Sequence, residues 1–98
     1  MTALDEISTF LGSIPQEERD RREKLRSYRN AASQMLGTAR SDTACHLAWV
    51  VIEWASPNLY SAAPLDWLDE VNKLCRRLLV TAMQLEDMTL RLAEADDD

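Results

Sequence analysis

Three side chains in this 98-residue chain could do thiol or metal chemistry: Cys45, His46 and Cys75. A thiolate nucleophile needs a base within reach, and a zinc site needs three or four converging His, Cys, Asp or Glu ligands. The spacing serves neither. Cys45 and His46 are neighbours, and adjacent residues on a helix point about 100° apart. Both cysteines also fall within helical apolar patterns, where burial disfavours the thiolate, so buried free thiols are expected in preference to a nucleophile or a disulfide. The chain has no Cys-x-x-Cys, no His-Glu-x-x-His and no Glu-x-x-His. Gly12 and Gly37 stand alone, so no glycine-rich loop can cradle a phosphate. The acids Asp66 and Glu70 are four apart, an ordinary helix-surface spacing. No catalytic residue, metal site or cofactor is expected.

Binding chemistry is better represented. The formal net charge is −6, from 17 acids against 11 lysines and arginines. That balance disfavours general nucleic-acid binding and suits attraction to a basic partner. The acids are clustered: Asp42 to Glu70 holds Asp42, Glu53, Asp66, Asp69 and Glu70 with no lysine or arginine. On a helix Asp42, His46, Trp49 and Glu53 form one line. Trp49 either belongs to the core, with His46 at its solvated edge, or stays exposed as an aromatic anchor framed by acids. In the second case Asp42, His46, Trp49, Glu53, Asp66, Asp69 and Glu70 make an acidic partner-binding surface.

The bases are clustered too. Arg19, Arg21, Arg22, Arg26 and Arg29 lie in one run and could contact phosphates. Interleaved Asp20 and Glu23, and Glu17 and Glu18 just before, instead favour self-neutralisation through i,i+4 pairs. With Tyr28 the only nearby aromatic, a base-stacking platform is not indicated, and nucleic acid is not the expected partner.

The elements that must position these groups are helical. Two glycines, three prolines and few β-branched runs favour a few long elements, and 46% hydrophobic with 29% charged residues is the composition of a folded globule. One all-α domain over residues 1–98 is predicted, a small four-helix, bundle-like arrangement with helices at about 3–12, 14–36, 42–55 and 63–93. In the first, Leu4, Ile7, Leu11 and Ile14 recur at helical spacing. The second has an apolar stripe of Leu25, Tyr28, Ala32, Met35 and Leu36, begins as an exposed charged arm, and is closed by a left-handed Gly37. The third is apolar almost throughout from Ala44 to Ala55, as a helix surrounded by others would be; Ser41 or Asp42 caps it and Ser56-Pro57-Asn58 stops it. Trp54 and Trp67 are expected in the core. The fourth starts at Ser61 or Ala63 with Pro64 in its first turn, and the acidic tail 94–98 is expected to fray.

The fourth helix carries a seam at alternating steps of three and four through Leu68, Val71, Cys75, Leu78, Ala82, Leu85, Thr89 and Leu92. At about 1.5 Å per residue it is too long for the others to cover, so one end should protrude or meet a second chain. Ala82, Met83, Leu85, Met88 and Leu92 are the candidate dimer seam.

The segment Met-Thr-Ala-Leu-Asp-Glu lacks a signal-peptide pattern and no apolar stretch approaches 18 residues, so a cytoplasmic protein with no membrane partner is expected. The functional expectation is a small acidic, non-catalytic protein-binding module. Its size and charge suit an inhibitor of the phage anti-CRISPR or DNA-mimic type, acting on a basic protein surface of nucleic-acid machinery. The alternatives are a helical homodimer or adaptor built on the long seam, and a nucleic-acid binder using the Arg19–Arg29 run.

Overall fold

The computed structural model describes residues 16–60 and 62–96; over these the chain is all-α, with three helices and no strand. They are α1 (Gln16–Thr38), α2 (Asp42–Tyr60) and α3 (Leu65–Asp96). The expected four-helix count is therefore not met among the described residues. The helix expected at 3–12 lies outside them. No described helix is long and apolar enough to cross a membrane.

α2 packs between the other two, and its buried face explains how. It is built from Ala44, Ala48, Val51, Ala55 and Leu59, mostly small side chains that let α1 and α3 approach closely. α1 contributes Leu25 and Ala32, and α3 contributes Leu68, Val71, Cys75, Leu79 and Ala82. Tyr28, Met35, Leu36, Ile52 and Leu78 pack half-buried around this core. The apolar stripe expected on α1 and the first half of the α3 seam are thus the core.

Polar contacts fix the ends. Ser41 caps α2, its hydroxyl accepting from the Ala44 N–H at 3.1 Å. The Glu86 carboxylate on α3 accepts from the backbone N–H groups of Arg40 and Ser41, each at 2.9 Å, so the α1–α2 connection is tied to α3. At the other end of the bundle Arg22 donates to the carbonyls of Asn58 and Leu59 at 3.0 and 2.8 Å, satisfying oxygens that the end of α2 leaves without helical partners. Arg21 pairs with Asp69, and Asn72 donates to the Arg21 carbonyl at 3.2 Å.

Several boundaries differ from expectation. α2 does not stop at Ala55 but continues through Pro57 to Tyr60. The carbonyl that Pro57 deprives of its partner belongs to Glu53, and both residues are exposed, so water can take that bond. α1 runs past Gly37 to Thr38 and no described glycine has positive φ; the Ala39 N–H still bonds the Met35 carbonyl at 2.8 Å. Pro64 precedes α3 and offers its carbonyl to the Leu68 N–H at 3.0 Å, the position of a cap and not of a first helical residue. The acidic end stays helical to Asp96. Past Ala82, however, no described side chain of α3 is buried, although the helix continues for roughly 20 Å.

Candidate functional site

The outer face of α2 carries one continuous exposed line. Asp42, His46, Trp49 and Glu53 are all exposed, and Tyr60, on the same line three turns after Trp49, extends it. Trp49 is 51% and Tyr60 75% accessible. Between the two alternatives for Trp49, it is outside the core. Two aromatic rings about 16 Å apart along the axis, with Asp42 and Glu53 beside them, form a ridge of apolar area under negative charge.

The other acids of the expected surface are distributed elsewhere. Asp69 faces α1, where the Arg21 guanidinium hydrogen-bonds it and holds its carboxyl below the usual carboxylate range. Glu70 lies beside Lys73 at 3.4 Å, at the edge of a different groove, and Asp66 is exposed in the first turn of α3. Only Asp42, His46, Trp49 and Glu53 share one face.

That second groove, about 460 Å³, is lined by Trp54, Trp67, Val71, Leu74, Glu70, Lys73 and Arg77. Trp54 and Trp67, expected in the core, are instead 40% and 44% accessible. Their rings meet at 6.2 Å and 52°, a tilted aromatic pair. Asn58 fixes both: its amide donates to the Trp54 carbonyl at 2.7 Å and its side-chain oxygen accepts the Trp67 indole N–H at 2.8 Å. In the sequence Ser56-Pro57-Asn58 reads as a helix stop, which conceals the role of Asn58. The useful signal was its place four residues after Trp54 and nine before Trp67.

The basic run does not form a free arm. Arg21 is engaged by Asp69, Arg22 by Glu18 and the end of α2, and Arg26 by Glu23 at 2.5 Å. Arg19 and Arg29 are half-buried on the same helix. The bases with no acidic partner among the described residues include Arg76 and Arg77 on α3, which lie with Lys73 beside Val80 and Thr81.

The proposed dimer seam is also divided. Ala82 is buried in the core. Met83 faces α1, in an apolar groove with Met35, Leu79 and Leu90. Leu85 is half-buried, while Met88 and Leu92 are 58% and 66% accessible.

The thiols are apart in environment: Cys75 donates weakly to the Val51 carbonyl at 3.9 Å and Cys45 to Ala39 at 3.7 Å, and both are free. Burial pushes the Cys75 thiol up to about 11. Cys45 is only half-buried, less than expected. Among the described residues no three His, Cys, Asp or Glu side chains gather as a metal site would require. No protein-family model matches the chain, and no curated protein or solved structure was found to resemble it.

Proposed function

We propose that the protein is a non-catalytic binding module that docks the outer face of α2 on a basic surface of another protein. The observation that carries this reading is the exposure of Trp49 and Tyr60 on one helix line with Asp42 and Glu53. A rigid helix face loses little entropy on binding, and large aromatic side chains flanked by charge supply both contact area and steering. The net charge of −6 favours a basic target. Clefts that hold nucleic acid are basic, so an inhibitor of the phage anti-CRISPR or DNA-mimic type, acting in the cytoplasm on nucleic-acid machinery, is the specific form proposed. Small size and net negative charge support this form by analogy.

The test is affinity capture from a bacterial lysate at two salt concentrations, with and without nuclease, comparing the native chain with Trp49→Ala/Glu53→Lys. A nuclease-resistant protein, released by salt and not retained by the variant, supports the proposal. Equal retention by both chains, or retention lost on nuclease treatment, overturns it.

A further inference from the structure

The groove of about 460 Å³ between α2 and α3 differs from the rest of the surface in both shape and charge. Its apolar end is the tilted pair of Trp54 and Trp67, and Val71 and Leu74 continue that surface along α3. Both indoles are exposed, yet the pair is held in place: Asn58, only 8% exposed, accepts the Trp67 indole N–H and donates to the Trp54 carbonyl. That bond uses the one polar group of the Trp67 side chain, so Trp67 offers the groove ring surface and no donor. Polar recognition has to come from the rim.

The rim carries Glu70, Lys73 and Arg77. Lys73 lies 3.4 Å from Glu70, so those two charges offset each other, whereas among the described residues no acid pairs with Arg77. One acid against two bases leaves the groove with a net charge of +1, on a chain whose formal net charge is −6. A cation drawn to the indole faces would be repelled by Lys73 and Arg77, and a doubly charged anion would exceed what Arg77 can neutralise. A monoanion with an aromatic body matches both ends. Arg77 stands about 15 Å after Trp67 along the helix axis, and the lean of helical side chains toward the N-terminus shortens that gap. Its planar fork suits the two oxygens of a carboxylate. The volume falls within the range of small-molecule sites, roughly 300–1,000 Å³, whereas a folded partner would need a far larger contact.

We propose that this groove binds a small planar aromatic monocarboxylate, with its ring on the Trp54–Trp67 pair and its carboxylate at Arg77. The site uses none of the residues on the outer face of α2, so it stands independently of the partner-docking proposal.

The probe is naphthylacetate, and its control is naphthylacetamide, which keeps the ring and lacks the charge. The chain has three tryptophans, and Trp49, on the outer face of α2, is an internal reference for the other two. Titration of the full chain, followed by NMR of the indole N–H resonances, should shift Trp54 and Trp67 saturably, with one ligand per chain, and leave Trp49 in place. The acetamide should bind about tenfold more weakly, because it forfeits a charge-assisted hydrogen bond. Arg77→Gln, at an exposed position, should weaken the acetate about tenfold and leave the acetamide unchanged. Trp54→Ala, checked for native helicity by circular dichroism, should weaken both ligands. The proposal is overturned by the lack of a saturable shift at millimolar naphthylacetate, by shifts at Trp49 in place of Trp54 and Trp67, or by equal affinities for acid and amide. Acid binding that survives Arg77→Gln or Trp54→Ala undiminished also overturns it. So does tighter binding of a peptide that ends in a free tryptophan carboxylate, which would assign the groove to a protein terminus.

Discussion

The indole N–H of Trp67 donates to the side-chain oxygen of Asn58 at 2.8 Å, linking the start of α3 to the end of α2. Asn58 is among the buried residues and its amide also serves the Trp54 carbonyl. Asn58→Ala is expected to destabilise by about 1–2 kcal/mol, toward the lower end because water can reach Trp67. Urea unfolding measures the loss, and native tryptophan emission should move to longer wavelength. Asn58→Asp keeps the acceptor for Trp67 but sets a carboxylate oxygen against the Trp54 carbonyl near the end of α2, so it should cost at least as much as Asn58→Ala.

Glu86 gives the fold an acid-sensitive tie. Backbone hydrogen bonds from Arg40 and then Ser41 hold its carboxyl below the usual glutamate range. A depressed folded-state value means the stabilisation is complete above the unfolded-state pKa and disappears as pH falls through the folded value. Melting temperature against pH should therefore drop in the acid range. Glu86→Gln should be less stable at neutral pH and show a shallower acid drop.

The two thiols should separate cleanly toward an alkylating reagent. Cys75 is buried with its thiol near 11, whereas Cys45 is half-buried. At mild alkaline pH, mass spectrometry of the native protein should find one label, on Cys45, with Cys75 modified only in denaturant. Rapid double labelling of the native chain would contradict this placement.

Core substitutions should differ by size in a direction set by the small-residue face of α2. Leu68→Ala removes a fully buried side chain and is expected to cost about 2–5 kcal/mol. Ala48→Leu should also destabilise, by about 1–3 kcal/mol, because added methylenes have no room between closely packed helices.

Pro57 lies inside α2 with its ring on the exposed face. Pro57→Ala is expected to raise stability by about 1–2 kcal/mol: the Glu53 carbonyl regains a partner, while added freedom in the unfolded chain offsets part of the gain. Thermal unfolding decides the sign.

Periodicity made much of the fold legible. The α1 stripe and the core half of the α3 seam follow from spacing and side-chain type, which also narrow the α2 cap to Ser41 or Asp42. Hydrophobicity alone misplaced Trp54 and Trp67 and left Trp49 open between core and surface. α2 is apolar nearly all round, but a three-helix arrangement cannot cover all of it, and the faces that win burial are those where alanines permit close approach. Trp49 and Trp54 are left at the rim. Pro57 misled for a related reason: a proline ends a helix where its lost hydrogen bond would be buried, and here it is not. The charged run of α1 looked self-sufficient because i,i+4 pairing is visible in a sequence, whereas the reach of Arg22 to the end of α2 depends on tertiary placement.

Few residues separate α1 from α2, or α2 from α3, and each pair packs together in the bundle, so neighbours in sequence meet with little intervening chain. Contacts of that kind are cheap to close, and folding on the order of microseconds to milliseconds follows. The ties to α3, from Arg21 of α1 to Asp69 and from the Arg40 backbone of the α1–α2 connection to Glu86, join residues 48 and 46 apart in the chain and are expected to close last. Loosening them should leave the refolding limb of a chevron nearly unchanged and steepen the escape from the native state. These few polar side chains thus set how long the protein stays folded more than how quickly it gets there.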